Sequence, residues 1–129
     1  MLFAANRRAE AAKHEPLFLT GCIRQDTVLC VYQLQSTDIF DQWLRRLQDR
    51  KGRARILARL ESAQLGNLGD VRSVGEGVRE MRVHIGPGYR VYFAQRGRVL
   101  LLLLCGGDKS TQARDLAKAR RVLRDLGKE

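Results

Sequence analysis

Apolar and polar positions alternate most regularly between Gly77 and Gln112. Met81, Val83 and Ile85 fall on one side of an extended segment, and Glu80, Arg82 and His84 on the other. Beyond Gly86-Pro87-Gly88 the alternation resumes, with Tyr89, Val91 and Phe93 on one side and Arg90 and Tyr92 opposite. Proline presets φ for the first central position of a turn and glycine accepts the positive φ of the next, so a hairpin looped at these three residues is expected. That register pairs Ile85 with Tyr89, His84 with Arg90, and Arg82 with Tyr92. The apolar residues then share one face, as a half-buried sheet requires. Glu80, Arg82, His84, Arg90 and Tyr92 gather on the other.

Elsewhere the period changes from two to about 3.6. Val28–Gln35 reads as a strand, followed by Ser36 or Thr37 as a helix cap with Asp38 and Asp41 in the first turn. Phe40, Trp43, Leu44 and Leu47 recur at helical spacing and form a core stripe, which places Trp43 in the core rather than on a base. Asp49-Arg50-Lys51-Gly52 breaks this helix from a second over Arg53 to Leu65, with Ile56, Leu57 and Leu60 inward. Gly66-Asn67-Leu68-Gly69 ends the helical hairpin. A short strand is expected at Val71–Val74, and a strand buried on both faces over Arg98–Cys105, including the leucine run Leu100–Leu104. A Gly-rich loop then opens a last helix capped by Ser110 or Thr111, with Ala113, Leu116, Leu123 and Leu126 inward. The order β-α-α-β-β-β-α predicts an α+β fold: a mainly antiparallel sheet of four to five strands, a helical hairpin over its apolar face and a C-terminal helix. The Arg82/Arg90 face is left as a concave site.

Length and composition narrow the function classes. A chain of 129 residues suits one domain, and the leucine run is far short of the ~18 residues of a membrane span. Residues 1–27 lack the pattern of the remainder and the apolar core of a secretory signal. They are expected to be an extension, either a mis-assigned start or an arm, ahead of a domain spanning 28–129. Cys22, Cys30 and Cys105 show no zinc spacing and read as free thiols of a reducing cytoplasm. The net charge of +10 points to a polyanionic partner. No metal or cofactor is expected.

Glu80-Met81-Arg82, the run GPGYRVYF and above all Gly106-Gly107-Asp108-Lys109-Ser110-Thr111-Gln112 resemble the addiction-module killer proteins of the RelE/ParE toxin superfamily, closest to its HigB-like branch. The resemblance covers Val28 to Leu126. It implies a RelE-like fold and a toxin that cuts mRNA in the ribosomal A site without metal. The 2′-OH attacks the adjacent phosphate and expels the 5′-oxygen. The implied partners are the ribosome, mRNA and a helix-turn-helix antitoxin of the HigA/Xre-like type.

Such chemistry needs a base, a cation on the phosphorane oxygens and an acid. Arg82 lies where the superfamily places a basic catalytic residue, and Arg90, after Tyr89, is assigned to the scissile phosphate. A salt bridge to Glu80 is the structural alternative for Arg90. His84 is a candidate proton carrier, because histidine titrates near neutrality. Lys109 is a candidate phosphate ligand beside a helix N-terminus; otherwise it is a solvated charge next to a cap made by Asp108 and Ser110. Glu80, Tyr92, Asp108 and Gln112 are the candidate substrate contacts: Glu80 acts as a base or, preferably, orients Arg82, Tyr92 stacks on a base or edges the core, and Gln112 reads a base edge. The strand lacks the lysines of the best-known RelE sites, which leaves the general base unassigned. Two other functions compete: a ParE-like gyrase inhibitor, which needs no phosphate-centred site, and a non-catalytic nucleic-acid- or repressor-binding module. A short helix-turn-helix reading frame next to the gene would mark the antitoxin pairing.

Overall fold

The computed structural model describes residues 31–127. The expectations for residues 1–27, for a strand start at Val28 and for Cys22 and Cys30 lie outside the described residues. β1 (Gln33–Ser36) runs parallel to the last strand, pairing Gln33 with Leu100 and Ser36 with Leu103. Thr37 ends it and caps α1 (Asp38–Arg46): its hydroxyl accepts from the Phe40 N–H at 3.1 Å and donates to the Leu104 carbonyl at 2.9 Å. Asp49 caps α2 (Arg50–Gln64), accepting from the Gly52 N–H at 3.0 Å. This helix therefore starts ahead of Arg53. Gly52 lies in its first turn, where the Tyr89 ring occupies the space a Cβ would take.

β2 (Val71–Ser73), β3 (Arg79–Val83), β4 (Tyr89–Arg96) and β5 (Leu100–Asp108) complete a five-stranded sheet of order β1-β5-β4-β3-β2. Its pairings are antiparallel apart from β1–β5. A single-turn 3₁₀ segment (Lys109–Thr111) leads into α3 (Gln112–Gly127). The fold is α+β, as the pattern predicted.

The hairpin register differs from the expected one. Val83 pairs with Tyr89, Arg82 with Arg90, Met81 with Val91 and Glu80 with Tyr92. The loop is five residues, His84–Gly88, with Gly86 (φ 57°) and Pro87 as the central pair of a turn closed by Gly88 N–H donating to the Ile85 carbonyl at 3.1 Å. The shift is two residues, a whole period of the pleat, so each side chain keeps its face.

Both faces are covered. Phe40, Leu44, Ile56 and Leu60 pack from α1 and α2 against Met81, Val91, Phe93, Leu101 and Leu103. On the opposite face Ala119 and Val122 of α3 pack against Val78, Tyr92, Ala94, Leu104 and Cys105. This corrects the open Arg82/Arg90 face: α3 covers it around Tyr92, Ala94, Leu104 and Cys105, while toward the β3–β4 loop Arg82 stays half-buried and His84 exposed. Ala113, expected inward, is exposed. The buried Cys105 thiol is pushed up to about 12, chiefly by burial and then by the nearby Asp115 charge, which keeps it inert.

The Gly-rich run is strand rather than loop. Gly106 pairs with Val91 and Gly107 with Arg90, after a bulge at the Tyr92/Phe93 pairing. The bulge turns both Leu104 and Cys105 toward α3. It also leaves Gly106 facing the Trp43 ring and Gly107 facing the Asp115 carboxylate, where a Cβ would collide with each. Gly106→Ala should therefore destabilise the fold by about 1–3 kcal/mol through overpacking, read by urea denaturation. Adding Trp43→Leu should recover part of the loss.

Candidate anion site at the open end of the sheet

Rows of paired residues cross β3, β4 and β5 on the α3 face. One row is Arg82, Arg90 and Gly107; the next, toward the core, is Arg72 of β2, Glu80, Tyr92 and Cys105. Paired residues present their side chains to the same face, so the two arginines stand side by side with a glycine next to them.

The inner row is organised around Glu80, which has no exposed surface. Its Oε1 accepts from Arg72 Nε at 3.0 Å. Its Oε2 accepts from the Tyr92 hydroxyl at 3.1 Å and from Gln112 Nε2 at 2.7 Å. Burial pushes this carboxyl upward, but the hydrogen bonds from Gln112, Arg72 and Tyr92 outweigh it and hold the group below its ordinary value. Burial and the Glu80 charge drive the Tyr92 phenol strongly upward, so Tyr92 is a neutral donor. Tyr92 and Gln112 thus both donate to Glu80, which stitches α3 to β3; the fully buried Tyr92 edges the core rather than stacking on a base, and Glu80 holds Arg72 while Arg82 is held by Asp70.

Arg90 is 8% exposed, and its Nε lies 4.0 Å from Glu80 Oε2, too far for a hydrogen bond. Among the described residues its Nε is buried without a hydrogen-bond partner. The Glu80 carboxylate compensates the Arg90 charge, yet spends its lone pairs on three other donors. Buried arginine donors normally find acceptors, so this guanidinium is set up to receive one.

Arg82 is half-buried; its Nη2 donates to Asp70 Oδ1 at 3.1 Å, while its Nε is likewise buried without a partner among the described residues. His84, exposed in the loop, donates from Nε2 to the other oxygen of Asp70 at 2.5 Å. One carboxylate therefore holds two of the predicted site residues. The hydrogen bonds from His84 and Arg82 lower the Asp70 pKa and keep it ionised. Main-chain contacts fix Asp70: its carbonyl accepts from the Arg82 N–H at 2.9 Å. Arg59 of α2 donates to the carbonyls of Arg82 at 2.5 Å and Leu68 at 2.9 Å, bracketing the same loop.

Lys109 is exposed, its Cβ 3.6 Å from where a Cβ on Gly88 would sit, which puts it at the same end of the sheet. Asp108 caps the 3₁₀ turn, accepting from the Ser110 N–H at 2.9 Å and the Ser110 hydroxyl at 2.6 Å. On the far side of the sheet the Tyr89 hydroxyl donates to Asp49 at 2.8 Å. Burial first, then that bond, pushes the phenol up to about 12. The structure brings Arg82, Arg90, His84 and Lys109 to one end, with Asp108 as a cap and Glu80, Tyr92 and Gln112 beneath. Sequence reasoning missed Asp70, Arg72 and Arg59. Asp70 lies in a loop where no period gives its direction, and the two arginines resembled the other surface cations.

The buried carboxylate makes a prediction. Glu80→Ala should cost about 3–5 kcal/mol in urea denaturation, since it strands cationic neighbours. A carboxyl with a depressed folded pKa stabilises above its ordinary value, 4.5, and loses that contribution as pH falls. The stability gap between wild type and Glu80→Gln should accordingly be widest near neutrality and narrow below pH 4.5. A gap that does not change with pH would mean that the charge of Glu80 is not what its donors hold.

Residues 42–126 match the family described as Phage derived protein Gp49-like. A protein of Haemophilus influenzae (strain Rd), described as an uncharacterized protein, is 45% identical over 95 residues, covering 74% of this chain and 96% of that protein. No solved structure matches the chain.

Proposed function

Because the chain belongs to the phage-derived Gp49-like family, a RelE-like toxin family whose members are commonly the toxins of toxin–antitoxin pairs, we propose that it is a ribosome-dependent, metal-independent mRNA endonuclease of a type II pair. The observation that carries this reading is Arg90: a nearly buried guanidinium whose Nε has no hydrogen-bond partner among the described residues, paired across the hairpin with a second arginine, Arg82. Two guanidiniums on one face suit a phosphodiester, whose oxygens accept several N–H donors and gain charge in the phosphorane. A gyrase inhibitor needs no such centre.

In this reading Arg90 holds the scissile phosphate, Arg82 shares the charge and Lys109 lies along the adjoining backbone. The toxin domain is residues 28–129, with 1–27 an extension. The net charge of +10, with Arg45, Arg46, Arg50, Lys51 and Arg55 exposed on the helical hairpin, supports binding to ribosomal RNA in the cytoplasm. The antitoxin partner is a small helix-turn-helix protein of the HigA/Xre-like type that covers the cationic end.

The test is mRNA cleavage on programmed ribosomes. Arg90→Ala should lower the rate about 100–1,000-fold, the usual loss for one transition-state donor, with the circular dichroism spectrum unchanged. Arg90→Lys should rescue poorly, because an ammonium cannot make the two-pronged contact. Full cleavage by a folded Arg90→Ala would remove the central residue. Wild type that cuts nothing on ribosomes but blocks gyrase supercoiling would replace the nuclease with the ParE-like alternative.

A further inference from the structure

Phosphate binding alone leaves the proton of the attacking hydroxyl without a destination, and the strand offers no lysine to take it. The Asp70 carboxylate, which no expectation from the sequence included, touches both Arg82 and His84. Its place is fixed from three directions: the Arg82 N–H, the Arg59 bonds to Arg82 and Leu68, and the packing of Gly69 against the Arg59 guanidinium, where a Cβ would crowd it. An ionised carboxylate only accepts, so the His84 nitrogen facing it must carry the hydrogen. That nitrogen is Nε2. In the neutral ring the lone pair is then on Nδ1, on a side chain that is 68% exposed and open to an arriving substrate.

We propose that Asp70 is the positioning residue of this site, locking His84 in the Nε2–H form so that Nδ1 accepts the proton of the RNA 2′-OH while the same carboxylate holds Arg82 beside the phosphate. The inference rests on the nuclease reading. In the step, the 2′-O–H proton passes to Nδ1, the 2′-O–P bond forms and the P–O5′ bond breaks. The departing O5′ takes a proton from water, and the hydroxide left takes the proton from the His84 imidazolium, giving a 2′,3′-cyclic phosphate, a 5′-hydroxyl and the neutral ring. His84 is the catalytic base; Asp70 acts through it.

Asp70→Asn separates the two roles of the carboxylate. An asparagine oxygen still accepts from Arg82, but its amide donates to Nε2 and forces the hydrogen onto Nδ1, which can then accept nothing. On the full chain, ¹⁵N spectra of the neutral His84 ring should show Nε2–H in wild type and a switch to Nδ1–H in Asp70→Asn. On programmed ribosomes, Asp70→Asn and His84→Gln should each lower the single-turnover rate about 100-fold or more, with ribosome affinity unchanged. The double variant should be no slower than either single one. Asp70→Asn that cuts at the wild-type rate, or a His84 ring with the same tautomer in both proteins, overturns the proposal and leaves the nuclease standing. Wild type that cuts no mRNA at any pH, with the ring still in the Nε2–H form, refutes the nuclease reading and the proton transfer together.

Discussion

The fully buried carboxylate of Glu80 is the constraint on which the polar half of this molecule depends. Placing a charge at the centre of a sheet is costly unless donors surround it. Arg72 of β2, Tyr92 of β4 and Gln112 of α3 provide them, so that one side chain ties the edge strand, the central hairpin and the last helix together. The consequence for function lies in what remains. Engaged by three other donors, and 4.0 Å from Arg90 Nε, Glu80 offsets the charge of Arg90 without accepting a hydrogen bond from that nitrogen. A guanidinium that is desolvated, electrostatically compensated and short of acceptors is a preorganised anion receptor, since little reorganisation is left to oppose binding.

The helical hairpin and α3 then decide which parts of the sheet are covered. The sheet is closed on one face by Phe40, Leu44, Ile56 and Leu60 and on the other by Ala119 and Val122. At the β3–β4 end of the sheet Arg82 is half-buried and His84 and Lys109 are exposed. The two glycines of β5 contribute by lacking side chains: Gly106 admits Trp43 on one face and Gly107 admits Asp115 on the other, drawing both layers close to the strand. The exposed cations of the helical hairpin add a long-range positive field that weakens with salt.

Much of this was legible in the chain. Alternation on either side of the turn assigned Glu80–Val83 and Tyr89–Phe93 to their correct faces, and the cap of the first helix was narrowed to Ser36 or Thr37, of which Thr37 is the one. The hairpin register was not, because Gly86-Pro87-Gly88 is compatible with more than one loop length and a shift of two residues leaves the burial pattern intact. The bulge opposite Tyr92 leaves no trace in a run of identical leucines. The roof over the polar face was implied by features read separately: a strand apolar on both sides and a final helix with an inward stripe require each other. In the site itself, Arg82, Arg90 and His84 announce themselves by chemistry and alternation. Asp70 does not, because only the tertiary fold carries a loop carboxylate to the end of β3.

The central claim is that the phosphate of an RNA backbone is bound between Arg90 and Arg82. It is tested most directly by determining the structure of the protein on a ribosome programmed with an mRNA whose 2′-hydroxyl at the cleavage position is replaced by hydrogen, so that the bound substrate persists. The account predicts a backbone phosphate within hydrogen-bond distance of both guanidiniums, with Glu80 still held by Arg72, Tyr92 and Gln112 beneath them. An mRNA lying against another surface, with no phosphate at Arg90, would contradict it.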